Sequence, residues 1–259
     1  AKLCAAAIAA GLQELAITDH FEPTPLDEES SNYKADEYFS AMKKMRSLYK
    51  GSLKLKYAVE MGQPHHYAAS SEKLLAAHPY DYVLASVHML PTGEDLGYIA
   101  YSKENISFYT QSYLDELKGL AKWNKFDCVG HFDLLKRYAI MRGVETDFMA
   151  YQEQIEEILR IIIANGKGIE INTSGLRQES KECLPGLDIL KIYKQLGGEI
   201  ITIGSDAHFA KDVGKGVKEA IELLKTAGFK YVTVYSQRQP EMIKISGRPS
   251  AYAKGIQTA

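Results

Sequence analysis

Four of the seven histidines in this 259-residue chain stand where a short β-rich run gives way to a polar stretch. They are His20 in ITDH, His88 in ASVH, His131 in VGH and His208 in GSDAH. Two acids occupy matching places: Glu60 after YAV, and Asp206 two residues before His208. Imidazole and carboxylate in this mixture are the ligands of Zn²⁺, Mn²⁺ or Fe²⁺. Any one such histidine could be a satisfied polar side chain, but ungathered buried imidazoles and carboxylates are costly to leave unpaired. Their shared placement therefore points to a metal cluster. Asp19, beside His20, either orients that imidazole or caps a turn. His65 and His66, in the loop after Glu60, and His78, just before Pro79, lack the placement and read as surface or structural residues.

A phosphate site is the natural companion of such a cluster, and no G-x-x-x-x-G-K-[ST] loop is present to form one. The Gly-Lys-Gly at 214–216 reads as a helix start. Arginine must then bind the phosphoryl group. Arg177 follows the strand end GIEINTSG, and its planar fork suits two phosphoryl oxygens. Arg137, in HFDLLKR, is the weaker candidate, because its position reads as the solvated face of a helix. Cys4, Cys128 and Cys183 form no C-x-x-C pair and read as reduced, buried thiols. With no G-x-S-x-G elbow either, covalent hydrolase chemistry has little support.

These side chains lie far apart in sequence, so the fold must gather them. β-rich runs at 14–18, 53–59, 82–87, 127–130, 168–172 and 199–204 alternate with helical patterns at 35–49, 106–124, 147–165, 186–196 and 213–227. An Ala-rich helix over 1–11 precedes the first run, and a late strand is expected at 231–236. Such alternation predicts a parallel sheet, and this many units favour a (β/α) barrel over a doubly wound open sheet. The carboxyl ends of parallel strands form the site-bearing face, which is where the four histidines fall. Residues 22–32 and 89–97 read as long loops on that rim. We expect one domain over 1–245 and a weakly ordered tail over 246–259.

Composition narrows the partners. With 31 Lys+Arg against 33 Asp+Glu, the formal net charge of −2 offers no excess of cations for a phosphate backbone, so nucleic acid is not an expected partner. No apolar run is long enough to suggest a membrane span, and the first residues lack the layout of a signal peptide. No membrane partner and a cytoplasmic location are expected.

The ordered motifs ITDH, VEMG, ASVH, VGHFD, EINTSGLR and GSDAH resemble the PHP family, named for polymerase and histidinol phosphatase domains, over nearly the whole chain. SVHMLP, FDCVGHFDLLKR and NTSGLR are most similar to its histidinol-phosphate phosphatase branch. The resemblance implies a distorted (β/α)₇ barrel with up to three divalent metals (Zn, Mn or Fe) hydrolysing a small phosphomonoester. The implied reaction converts L-histidinol phosphate and water to L-histidinol and phosphate, a step of histidine biosynthesis. It also implies that Glu60 bridges two metals, that His88 and His131 complete the second, that Asp206 holds the first, and that His20 and His208 hold the third. Asp206, His208 and Arg177 would then be catalytic, and Arg177 and Arg137 would contact substrate. The family's opening H-x-H has no counterpart before His20, so the expected barrel lacks its first strand. Two alternatives stand beside this reading: another PHP phosphoesterase acting on nucleic-acid ends or nucleotides, and a degenerate non-catalytic PHP module.

Overall fold

Six strands pair in parallel in strict chain order, each joined to the next by helical or loop crossovers. In a computed structural model, which describes residues 1–245, they are β1 (Glu14–Phe21), β2 (Lys54–Gly62), β3 (Tyr82–Ser86), β4 (Cys128–Val129), β5 (Gly168–Asn172) and β6 (Ile201–Gly204). The expected tail at 246–259 lies outside the described residues. Among the described residues eight α-helices accompany the sheet: α1 (Lys2–Ala9), α2 (Ala35–Leu48), α3 (Ala68–Ala77), α4 (Ile106–Trp123), α5 (Leu134–Met141), α6 (Gln152–Ala164), α7 (Leu187–Gln195) and α8 (Val217–Thr226). The sheet curls into part of a barrel, in keeping with the expected α/β fold, and among the described residues no strand pairs with the outer edge of β1 or β6.

Side chains alternate faces along a strand, and the two faces here have different chemistry. Odd-numbered residues such as Val59, Val83, Val129, Ile169 and Ile201 pack outward in one apolar cluster with the helices. Even-numbered residues face the concave side. At the amino-terminal end these are Ala16, Ala58, Tyr82, Leu84 and Cys128. At the carboxyl end the even series reaches His20 and Glu60, which lie opposite each other in the β1–β2 register. Period-two alternation thus directs the ligand residues inward and the aliphatic residues toward the helices.

Three expectations need correction. Helix α3 lies in a segment not expected to be helical, its pattern interrupted by Ser70-Ser71, while α5, the short helix on which Arg137 was expected, is only eight residues long. Helix α8 begins at Val217, later than expected, because Gly214 and Gly216 both adopt positive φ. The late strand exists as β7 (Tyr231–Ser236), but it pairs antiparallel with β8 (Gln239–Lys244) and does not extend the parallel sheet. Val234 and Tyr235 of β7 pack on Tyr82, Leu84 and Cys128, so the hairpin closes the amino-terminal end of the concave face.

The two-residue turn of that hairpin, Gln237-Arg238, has φ of 51° and 63°. Such turns favour glycine and asparagine, since L side chains are strained there. Contacts from the body of the sheet hold it. Gln237 N–H donates to Asp81 Oδ1 at 3.0 Å, and Arg238 N–H donates to Asp81 O at 2.9 Å. The Arg238 guanidinium donates to both oxygens of Asp127 at 2.9 and 3.0 Å. Asp127 is buried at the start of β4, and burial pushes its carboxyl up even with that cation beside it. Arg238→Gly should therefore destabilise the protein by about 2–4 kcal/mol, because stranding a buried charge costs about 3–5 kcal/mol while relief of the turn returns only about 1. Gln237→Gly should be neutral or stabilising. Urea unfolding at pH 7 checks both signs, and a stabilised Arg238→Gly protein would show that the ion pair does not hold the turn.

Candidate metal centre

Glu60 is the hub of the carboxyl-end site. Its Oε1 lies 3.1 Å from His131 Nε2 and 3.3 Å from His88 Nε2, and its Oε2 lies 3.6 Å from His20 Nε2. Ser86 Oγ donates to the same Oε1 at 2.7 Å. The partners come from three strand ends: His20 from β1, Ser86 and His88 from β3, and His131 from the turn after β4. His131 takes φ of 21°, a conformation uncommon for a residue other than glycine. Its N–H donates to Glu170 Oε2 at 3.3 Å, and Asn172 Nδ2 donates to the same oxygen at 3.0 Å.

Glu22 is a member of the site that lay unnoticed in the expected loop 22–32. Its Oε2 accepts from His88 Nδ1 at 2.9 Å and faces His20 Nδ1 at 3.3 Å. Its Oε1 accepts from Gln63 Nε2 at 2.7 Å. The carboxylate sits on Gly62, where a Cβ atom would fall 2.0 Å from Oε1, so any larger residue would push Glu22 out of this position. The available signal was position: Glu22 follows His20 by two residues on a strand that runs to Phe21. Glu170 had a comparable signal, as an acid inside the apolar run GIEIN.

Asp206, at φ 48° in the turn after β6, accepts from His208 Nε2 on Oδ1 at 3.1 Å. The His208 ring stacks toward that of His20 with centroids 6.1 Å apart. Asp206 Oδ2 accepts from Arg137 Nη1 at 3.2 Å, which also donates to Ser174 Oγ at 2.9 Å. Arg137 therefore does not lie on a solvated face: it is 8% exposed and aimed into the site, with its guanidinium 4.8 Å over the Tyr138 ring. Arg177 is placed differently. Its Nη2 donates to the carbonyls of Ser205 and Asp206 at 2.7 and 3.2 Å, its Nε lies 3.8 Å from Asp212, and its buried Nη1 has no hydrogen-bond partner. A cavity of about 660 Å³ is lined by His20, Glu60, Glu170, Asn172, Asp206 and His208, among others. No hydrogen bond joins Asp19 to His20. His78 stacks on Phe39 at 4.8 Å, away from the cluster.

Charge is unusually concentrated. Burial alone would raise the Glu60 carboxyl, but His20, His131 and His88 outweigh it and hold it well below the usual range. Burial likewise opposes ionisation of Glu22, yet His88 and His20 bring it down to about 2. Burial disfavours the His88 cation too, but Glu22 and Glu60 lift that imidazole well above its ordinary value. His131 is the reverse case, where burial dominates and its pKa falls. His88 Nε2 and His131 Nε2 face each other at 3.3 Å, an arrangement natural for two lone pairs aimed at one cation. Two donor triads, His20–Glu22–His88 and Glu60–His88–His131, each have ligand atoms within 4.8 Å of one another. Imidazole and carboxylate in these triads fit a divalent transition metal.

Comparison with known proteins gives the family. A histidinol-phosphatase of Lactococcus lactis subsp. lactis is 31% identical over 237 residues, 89% of this chain and 86% of its own length. A Thermotoga maritima protein named "Probable histidinol-phosphatase" is 30% identical over 228 residues, 86% of this chain and 83% of its own length. The crystal structure of the Lactococcus lactis histidinol phosphate phosphatase, in complex with zinc, L-histidinol and phosphate, superposes with a TM-score of 0.76 at 26% identity, covering 93% of this chain and 91% of that one. The PHP domain matches residues 1–174, which hold every member of the Glu60 cluster, and the chain belongs to the PHP domain family.

Proposed function

We propose that this protein is a metal-dependent phosphomonoesterase acting on L-histidinol phosphate. The observation that carries the reading is that His20 and Glu60 of the cluster line one cavity together with His208 and with Asp206, whose carboxylate Arg137 holds, in a chain whose relatives are named for that reaction. Glu60, His88 and His131 would hold one divalent ion. His20 with Glu22 and His208 would hold another, and Asp206 would complete the set. Zinc is the ion the Lactococcus lactis structure contains; manganese and iron suit the same donors. Bound there, such ions provide Lewis acidity toward a phosphoryl oxygen and a water of lowered pKa.

The chain's own residues do the rest. Phosphoryl transfer passes through a loose transition state in which positioning and charge neutralisation dominate. Arg137 brings a buried cation and a two-pronged donor to the site, with Ser174 Oγ and Tyr138 OH fixing its plane at 2.9 Å each. Arg177 holds the 205–206 turn through its carbonyls, and so sets the direction of Asp206, while its unpartnered Nη1 remains able to donate to substrate. Ser86 holds the Glu60 carboxylate in a single orientation.

Zinc-loaded protein should release phosphate from L-histidinol phosphate, and a preference for a nucleotide would place it in a different PHP activity class. Arg137→Lys keeps the charge but loses the fork. It should lower kcat/KM by about 10- to 100-fold, from a charge-assisted bond of ~1.5–3 kcal/mol, with zinc content unchanged. Unaltered kinetics would remove Arg137 from substrate binding. Zinc affinity should also depend on pH in a defined direction. A ligand imidazole must be deprotonated, and His88 retains its proton to a higher pH than an ordinary histidine. Zinc binding should therefore release protons, and its Kd should weaken as pH falls from 8 to 6. Affinity that stayed flat over that range would exclude His88 as a ligand.

A further inference from the structure

A second gathering of metal-ligand groups lies outside the phosphatase site. The loop after β2 carries His65 and His66, and helix α4 presents Glu116 to them. His65 Nε2 lies 3.0 Å from Glu116 Oε2, and His66 Nε2 contacts the same oxygen. The three ligand atoms fall within 4.8 Å of one another. We propose that His65, His66 and Glu116 form a further divalent-metal site of the zinc class, with two imidazole nitrogens and one carboxylate oxygen as ligands and a remaining position open to solvent beside the partly exposed His66.

The local backbone is built for this convergence. Neighbouring side chains in an extended segment point apart, yet these two rings stand 4.3 Å apart on one side. The bend begins at Gln63, a buried residue with φ of 33°. The helix yields space as well: Gly119, one turn from Glu116 on the same face, lies under the His65 ring, and a Cβ there would sit 3.0 Å from Cδ2 and 3.2 Å from Nε2. Two imidazoles and one carboxylate with an open coordination position are a recurring zinc arrangement. The site would brace the phosphatase centre from outside. Gln63, two residues before His65, donates to Glu22 and accepts from the N–H groups of His88 and Met89 at 3.1 Å each. An ion pinning His65 and His66 to α4 would fix the loop that holds Glu22 and His88 in place.

Zinc per chain, measured by elemental analysis after dialysis against a buffered free-zinc concentration, tests this without reference to activity. Glu116→Gln and His66→Ala should each hold one zinc fewer than the parent. His131→Ala, which disrupts the Glu60 cluster, should retain a zinc that is lost when Glu116→Gln is added. Gly119→Ala separates metal binding from packing. With chelator, where the His65 ring is free to give way, its Tm should stay close to the parent's, because the helix gain of alanine offsets the tight contact with that ring, while zinc should raise its Tm by less than it raises the parent's. Equal zinc content in the parent and Glu116→Gln, or a Gly119→Ala protein with an undiminished zinc response, would overturn the proposal. A protein inactive on L-histidinol phosphate would leave these counts as they are, so the two readings fail separately.

Discussion

Glu60 places a carboxylate at 6% exposure on the concave side of the sheet, where little water reaches it and burial opposes its charge. A group in that position must either take up a proton or be surrounded by positive charge and donors. Here three imidazoles and a serine hydroxyl surround it, and each arrives from a strand end. That requirement accounts for features that otherwise look unrelated. It explains why His131 adopts an uncommon backbone conformation, why Glu22 is drawn back over a glycine, and why a second ring of acids, Glu22 and Glu170, fixes the histidines from behind. It also separates the roles of neighbouring imidazoles: His88, between two carboxylates, favours its charged form, while His131, deeper and with fewer anionic contacts, favours its neutral one.

Much of this was legible in the sequence, for a definite reason. Parallel strands put their carboxyl ends on one face, so a polar residue just after an apolar run carries positional information, and His20, Glu60, His88, His131, Asp206 and His208 all stood there. What period-two alternation could have added was Glu22, which continues the inward series from His20. Long-range geometry was out of reach. A helical arginine reads as solvent-facing unless one knows that α5 lies against the 174–177 turn, and Arg137 was misread for that reason. Arg177 stood in the right loop, but three-dimensional contact was needed to see its guanidinium on the carbonyls of Ser205 and Asp206. Similarly, nothing local marks Glu116, in the middle of a long amphipathic helix, as the partner of two histidines some fifty positions earlier.

The two arginines show how one residue type divides between tasks. Arg137 is packed on an aromatic ring and aimed at Asp206. Arg177 secures the turn that carries Asp206, acting on main chain where a side-chain substitution could not replace it. Asp206 is thus oriented by a cation on its carboxylate and by another on its own backbone. Its position is determined by α5 and the 174–177 turn together, two elements remote in sequence from β6.

The β7–β8 hairpin adds a temporal dimension. Its arginine reaches back to an aspartate 111 positions earlier, and its turn to one 156 positions earlier. On a ribosome, strands β1 to β6 emerge well before residue 238 does, so Asp127 spends that interval without its cation and the amino-terminal end of the sheet remains uncovered. Parallel sheets are slow to assemble and are exposed to misassociation while incomplete. A product terminated before the hairpin would keep all the ligands at the other end of the sheet yet carry a buried carboxylate that has lost its guanidinium partner and keeps, among the described residues, only the Val83 N–H as a close donor. Such a chain would be less stable than the finished one, whatever the state of the metal centre.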